Sequence, residues 1–147
     1  MNRMDIASAC LAGRKCRYDG ESREDTEIKK LCLEGKLVPV CPECLGGLKI
    51  PRLPSEIAGG DGKDVLEGRA RVIGSDGSDR TEEFIAGAKK ALEEAKRLGA
   101  KKAYLKSKSP SCGVKSVYDG TFSGRLREGR GVFCAMLEEN GIEVVEV

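Results

Sequence analysis

The sequence has few of the residues that proteins use to recognise nucleic acids. It contains no tryptophan, and aromatic residues make up only 4% of the chain. So few aromatic side chains offer no platform on which single-stranded bases could stack. Lys and Arg together number 26 and Asp and Glu number 24, so the net charge of +2 is too small to attract a polyanion. We therefore expect no nucleic-acid partner.

Long apolar runs are absent as well. No stretch approaches the roughly 18 apolar residues of a membrane-spanning helix, and Asp5 interrupts what would have to be the apolar part of a signal peptide. The glycine-rich stretch at residues 59–64 has neither the GxGxxG nor the Walker A spacing. We expect a cytoplasmic protein with no membrane partner and no nucleotide-phosphate site.

Cysteine, by contrast, is abundant. The chain of 147 residues has the length of one domain, predicted over 1–147, and it carries seven cysteines. Disulfides are rare in the cytoplasm, and an odd number of cysteines cannot all pair. Metal binding, catalysis or core packing must therefore account for them.

Short apolar stretches alternate with amphipathic ones along the chain. Pro39 places the second strand at a sheet edge or at a strand terminus. Strands that alternate with helices predict an α/β fold, a parallel-sheet layered (Rossmann-like) single domain. Strands are predicted at 4–9, 36–40, 102–106 and 142–147. One helix is predicted to begin after Asp25, a second to run from a capping box at 79–82 to Leu98, and a third to cover 131–140. A tight turn is predicted at 117–122.

Residues 49–79 lack helical periodicity and are rich in glycine and aspartate. Residues 56–58 and 69–73 are predicted to pair as a β-ribbon, with turn signals at Asp61-Gly62 and Asp76-Gly77. We interpret this segment as a flap beside the ligand crevice of the sheet.

Three cysteines follow predicted strands. Cys10, Cys41 and Cys112 lie at strand-to-loop junctions close to Gly or Pro, and the carboxyl ends of parallel strands border the ligand crevice of an α/β sheet. Free backbone N–H groups there can hydrogen-bond a thiolate or a bridging sulfide. Our working hypothesis is an iron–sulfur site. Cys32 and Cys134 lie within amphipathic helices and are expected to pack in the core.

The C-x-x-C motif Cys41-Pro42-Glu43-Cys44 has two other interpretations. It could be a thiol redox pair or half of a zinc site. Zinc needs four ligands, and without histidine or a second C-x-x-C it would have to recruit Cys10, Cys16 or Cys112. A redox C-x-x-C usually opens a helix, which Leu45-Gly46-Gly47 disfavours. Both alternatives stay open.

Polar side chains accompany two of these cysteines. Glu43 is two residues beyond Cys41, within reach of any ligand that this cysteine holds, and a general acid/base role is predicted for it. Ser109 and Ser111 flank Pro110 just before Cys112. These serines either cap a turn or orient a substrate or a water molecule.

An ordered set of motifs along nearly the whole chain resembles one family, the thiouracil desulfurases, long catalogued as a domain of unknown function. The motifs are Ser8-Ala9-Cys10-Leu11-x-Gly13, Cys16-Arg17-Tyr18-Asp19-Gly20, Pro39-Val40-Cys41-Pro42-Glu43, Gly46-Gly47-Leu48, Pro51-Arg52-x-Pro54, Lys106-Ser107-Lys108-Ser109-Pro110-Ser111-Cys112-Gly113 and Tyr118-Asp119-Gly120-Thr121-Phe122. The set is far more specific than a single C-x-x-C.

The resemblance implies a [4Fe-4S] cluster held by three cysteines, which leaves one iron free to take the sulfur of a thiocarbonyl. A carbonyl would replace the thiocarbonyl, without net redox change, in a small thiolated molecule such as 2-thiouracil. By this resemblance we expect the following roles: the cluster ligands would be Cys10, Cys41 and Cys112; the catalytic residues would be Glu43 and Ser109; and the substrate-binding residues would be Ser111, Gly46 and Gly47.

Two further cysteines depart from the family pattern. Cys16 or Cys44 would supply a fourth ligand in an alternative arrangement, and the protein would then be a non-enzymatic iron–sulfur or zinc protein. A third interpretation is a different thiolated substrate or a role in sulfur trafficking. Substrate selection is expected to reside in residues 49–79. No feature of the sequence sets the oligomeric state.

Overall fold

The structure is a computed structural model that describes residues 3–147. Eight short strands alternate with five helices and one 3-10 turn in this part of the chain. In chain order they are β1 (Asp5–Ser8), the 3-10 turn (Ala9–Ala12), α1 (Thr26–Leu33), β2 (Leu37–Val40), α2 (Pro42–Leu45), β3 (Ser55–Ala58), α3 (Gly62–Leu66), β4 (Arg71–Gly74), α4 (Thr81–Arg97), β5 (Lys102–Leu105), β6 (Ser116–Tyr118), β7 (Leu126–Glu128), α5 (Val132–Glu139) and β8 (Glu143–Glu146).

A four-stranded parallel sheet with the order β2-β1-β5-β8 forms the centre of the molecule. The predicted α/β class is confirmed, and Pro39 lies on the edge strand β2, where its missing N–H costs no ladder bond. The chain passes outwards from β1 to β2 on one side and from β5 to β8 on the other. The sheet therefore has its switch point between β1 and β5, the place where ligands bind in such sheets.

Local sequence signals account for the helices that cover the sheet. The Asp25 carboxylate caps α1 by accepting from the Ile28 N–H at 3.0 Å, as predicted. Helix α4 buries Phe84, Ala88 and Leu92 along one face, also as predicted. Helix α5 is buried along nearly its whole length, and Cys134 is fully inaccessible within it. The expectation of core packing is thus confirmed for Cys134, whereas Cys32 on α1 is only half-buried.

The predicted ribbon exists, but it is not a separate flap. Strands β3 and β4 pair antiparallel, with Glu56 opposite Ile73. Their inward-facing side chains Ile57 and Val72 are fully buried in the main core, so only the start of the ribbon borders the crevice. The turn predicted at Asp61-Gly62 is wrong, because Asp61 caps α3 in a capping box with Asp64.

Three further expectations differ from the structure. The capping box at 79–82 does not form; the Asp79 carboxylate accepts from the Thr81 N–H and pairs with Arg71 instead. The tight turn expected at 117–122 is part of a hairpin in which β6 pairs with β7. A helical turn, α2, does open after Cys41, since Pro42 has the φ of a first helical residue.

Close backbone contact holds α2 against α4. A Cβ atom on Gly46 would overlap the Glu83 carbonyl oxygen, and one on Gly87 would overlap the Pro42 carbonyl oxygen. The two helices approach at this distance only because both positions lack a side chain. This contact fixes α2, and with it Glu43, relative to the sheet. Within residues 3–147 no helix is long and apolar enough to cross a bilayer.

We predict that Gly46→Ala separates α2 from α4. The added methyl group meets backbone, which cannot move aside cheaply, so the free energy of unfolding should fall by about 2 kcal/mol or more. Urea denaturation measures the change. Gly47→Asn is the matched control: Gly47 has a φ of 91° with open space around it, and asparagine tolerates this backbone conformation. An equal loss in both variants would contradict the close-contact argument.

Candidate active site

A cavity of about 430 Å³ opens at the carboxyl ends of β1, β2 and β5. Cys10, Cys41 and Cys112, which were expected to converge there, all line it. The lining also includes Cys16, Glu43, Arg52, Ser109 and Ser111, with Arg17, Tyr18, Arg23, Glu56, Lys106 and Tyr118 on other walls. The switch point of the sheet thus carries a cavity rich in thiols and charged groups.

Each of the three cysteines is delivered by a different segment. Cys10 lies in the 3-10 turn that follows β1, and Cys41 is the residue between β2 and α2. Cys112 is held by the first turn of α5, where the N–H groups of Val132 and Phe133 donate to the carbonyls of Pro110 and Ser111 at 2.8 and 2.9 Å. Cys10 and Cys112 are buried and Cys41 is partly exposed.

Two more thiols lie close to Cys41. The Sγ atoms of Cys41 and Cys44 each lie 4.0 Å from the Cys16 carbonyl oxygen, a long contact for a weak S–H donor. The Cys16 thiol itself is buried and interacts with the thiols of Cys10 and Cys41. Cys16 therefore shares the cavity with the three predicted ligands, whereas Cys44 does not line it.

Three thiols of the cavity have a raised pKa, which favours their protonated form. Hydrogen bonding to Cys10, opposed by Cys41, together with burial raises the pKa of Cys16 to about 11. Burial raises the pKa of Cys112 to about 12 against hydrogen bonds from Ser8 and Ser111. Contact with Cys16 and burial raise the pKa of Cys41 as well. A soft metal that binds here must displace these protons, because thiolates are the ligands.

Glu43 is held at both of its carboxylate oxygens. Its Oε1 accepts from Nη2 and Nε of Arg52 at 3.0 and 3.3 Å, and its Oε2 accepts from the Ser111 hydroxyl at 2.8 Å. The Arg52 side chain is 5% exposed and that of Glu43 is 17% exposed. The ion pair is thus largely shielded from water, and the carboxylate has one defined orientation.

The two serines have different surroundings. The Ser109 hydroxyl oxygen accepts from the backbone N–H groups of Ser111 and Cys112 at 3.1 and 3.0 Å, which closes the turn before Cys112. Its own proton is then free for the Ser111 oxygen, 3.0 Å away. Ser111, predicted to bind substrate, is the serine in direct contact with Glu43, and its Oγ lies 3.8 Å from the Cys112 sulfur.

Two predicted substrate-binding residues lie outside the cavity. Gly46 packs on the backbone of α4, and Gly47 forms the left-handed turn that ends α2. Neither lines the cavity, so the structure does not bring these glycines together with the other predicted site residues. Their absence of side chains serves helix packing and chain reversal instead.

Arg52 is the main residue of the site that received no predicted role. It lies in the Pro51-Arg52-x-Pro54 motif, which was noted only as part of the family pattern. A loop arginine is usually solvated, and nothing local in the sequence shows that it folds back onto a glutamate nine positions earlier. The basic residues Arg17, Arg23 and Lys106 were missed for the same reason.

The thiols do not surround a single point. Among residues 3–147, no group of three or more His, Cys, Asp or Glu side chains is arranged to hold one metal ion.

The fold and site define a small α/β enzyme whose active-site cavity is lined by thiols and contains a buried glutamate–arginine pair. The family model of 2-thiouracil desulfurase matches residues 6–147. The chain therefore belongs to the 2-thiouracil desulfurase family, and the resemblance drawn from its motifs is confirmed.

Two individual proteins illustrate the match. An uncharacterised protein, YbbK of Bacillus subtilis (strain 168), is 46% identical over 142 residues, which is 97% of this chain and 94% of the relative. The solved structure of the [4Fe-4S]-dependent thiouracil desulfidase TudS is 37% identical, with a TM-score of 0.85 over 99% of this chain and 91% of that one. The likeness to TudS confirms the fold along essentially the whole chain.

Proposed function

We propose that this protein is a [4Fe-4S]-dependent desulfurase that converts the thiocarbonyl of a small molecule, such as 2-thiouracil, into a carbonyl. The observation that carries the proposal is the meeting of Cys10, Cys41 and Cys112 with Glu43 around one cavity at the switch point of the sheet. Family membership and the similarity to TudS, a [4Fe-4S]-dependent thiouracil desulfidase, support it.

The donor set fits an iron–sulfur cluster. Cys10, Cys41 and Cys112 come from three separate segments, and all three line the cavity. Cysteine thiolates are the usual ligands of iron–sulfur clusters. With three protein ligands, the bound cluster would supply a thiophilic Lewis acid that polarises a thiocarbonyl.

Glu43 is suited to act as the general base. Arg52 bonds only to Oε1, which leaves Oε2 beside Ser111 and the cavity, where it would accept a proton from water. The overall reaction adds one water and releases hydrogen sulfide: the water oxygen becomes the carbonyl oxygen, and both water protons leave with the sulfur. Glu43 would take the first of these protons and return it to the departing sulfide or to a ring nitrogen.

The hydroxyls of Ser109 and Ser111 are hydrogen-bonded in series to Glu43. The Ser111 hydroxyl donates a hydrogen bond to Glu43 and accepts one from the Ser109 hydroxyl, so the three side chains form an ordered chain Ser109–Ser111–Glu43. Ser111 is placed to orient Glu43 and to exchange a proton with it. Ser109 assists through Ser111 and holds the turn that presents Cys112.

A second candidate is a non-enzymatic site with four cysteine ligands. The observation in its favour is Cys16, which lines the cavity beside Cys10 and Cys41. A fourth thiolate would occupy the position that a substrate sulfur needs. The variants described below separate the two candidates.

We predict that the protein, reconstituted with iron and sulfide without oxygen, binds about four irons and four sulfides per chain and converts 2-thiouracil into uracil. Iron and sulfide analysis, the absorption spectrum and chromatographic detection of uracil and sulfide measure this. Protein treated identically with zinc alone is the control and should be inactive. A loaded cluster without turnover of any thiolated pyrimidine would favour the four-ligand candidate.

We predict that Cys10→Ser, Cys41→Ser and Cys112→Ser each lose most of the cluster, because serine is a poor ligand for iron. Cys16→Ser should retain both cluster and turnover. Cys134→Ser is the matched control: it lies in the core and should lower stability while the iron content per folded chain is unchanged. Loss of the cluster in Cys16→Ser would instead identify Cys16 as a ligand.

We predict that Glu43→Gln keeps the cluster and lowers kcat by about a hundredfold or more, since the amide cannot accept the proton. The amide oxygen still accepts one hydrogen bond, so the fold should persist. Single-turnover kinetics on protein of matched iron content measure the loss. Wild-type kcat in this variant would remove Glu43 from the chemistry.

A further inference from the structure

Arg52 has no role in the mechanism described so far beyond its charge, yet it is the most completely bonded side chain of the site. Its Nη2 donates to the Cys16 carbonyl at 3.0 Å as well as to Glu43, and its Nη1 donates to the Lys49 carbonyl at 3.1 Å. The guanidinium therefore joins three segments: the loop that carries Cys16, helix α2, and the chain that leads to β3.

The way Arg52 meets Glu43 is selective. Both of its contacts, from Nε and Nη2, go to the same oxygen, Oε1. A fork across both oxygens is the common geometry of an arginine–carboxylate pair. Here Oε2 is left to Ser111 and the cavity. The carboxylate is thus anchored through one oxygen and presented through the other.

We propose that Arg52 is a positioning residue of the desulfuration reaction: it fixes Glu43 so that Oε2 faces Ser111 and the substrate. This inference rests on the function proposed above. Arg52 acts through Glu43 and not through the substrate, and its anchor is the Cys16 and Lys49 carbonyls. A lysine ammonium cannot reproduce it, because one nitrogen does not span a carboxylate and two carbonyls in the plane of a guanidinium.

A double-mutant cycle tests whether Arg52 works through Glu43. We expect Arg52→Gln to lower kcat by about a hundredfold, the loss associated with a misplacement of about 1 Å in an active site, with KM changed less than about twofold. In the Glu43→Gln background, the same substitution should lower the residual rate less than about twofold. An equal loss in both backgrounds, or a loss that appears mainly in KM, would overturn the proposal.

A crystal structure of Arg52→Gln gives a readout that does not depend on activity. We expect Glu43 to leave its position, so that the 2.8 Å contact between Oε2 and Ser111 is lost, while the thiols keep their places and the iron content stays at the wild-type level. An unmoved Glu43 would overturn the proposal. If Arg52→Gln does not fold, Arg52→Lys carries both measurements, with a smaller loss of kcat expected.

The control is an arginine–glutamate pair away from the cavity. Arg130 donates to Glu138 on α5 and does not line the cavity, so Arg130→Gln should leave kcat unchanged. These experiments distinguish failure of the desulfurase function from failure of the positioning role of Arg52. Wild-type protein with a full cluster and no turnover would refute the desulfurase function, whereas the position of Glu43 in the variant would still decide the role of Arg52.

Discussion

The parallel pairing of β1 with both β2 and β5 is the constraint on which the site depends. Neighbouring strands lie about 4.8 Å apart, so the segments that follow all three strands start within about 10 Å of one another. The Ser8 hydroxyl at the end of β1 accepts from the Lys106 N–H just beyond β5, which ties two of these segments directly. Cysteines widely separated in sequence are brought to one cavity because the sheet aligns the strands that precede them.

The sheet alone does not fix the reactive groups, because each one extends from a loop or a single helical turn. The charged network of Arg52, Glu43 and Ser111 supplies the remaining restraint. Removing one member of a shielded ion pair leaves the other charge uncompensated, which costs free energy. Conformations that separate Arg52 from Glu43 are therefore disfavoured, and the fully bonded network is rigid. The contact of Gly46 with α4 acts in the same sense, since it fixes the backbone of α2 beneath Glu43. Two restraints thus place the carboxylate: the packing of α2 on α4, and the hydrogen bonds from Arg52 and Ser111.

Features that depend on local sequence were predicted well. The cap at Asp25, the buried face of α4 and the convergence of three cysteines follow from residues close in sequence or from the general geometry of parallel sheets. The hydrogen bonds of Arg52 join it to positions nine and 36 residues earlier, and no periodicity reports such contacts. Ser109 and Ser111 flank the same proline, so the sequence does not distinguish their roles. The structure does, because the Ser109 hydroxyl closes the turn and the Ser111 hydroxyl bonds to Glu43.

The main apolar core is largely separate from the thiols of the cavity. The main core contains Phe84, Phe133 and Leu137, and it also includes Cys112. Cys10 belongs to a second, smaller apolar cluster, and Cys41 packs against that cluster. A small zinc domain unfolds without its metal because it has no other core, whereas this chain has a main core that contains neither Cys10 nor Cys41. The raised pKa of Cys112 means that a metal bound by this thiol must displace its proton. Such a preformed cavity can keep Glu43 and its hydroxyl partners in place before any cluster or substrate arrives.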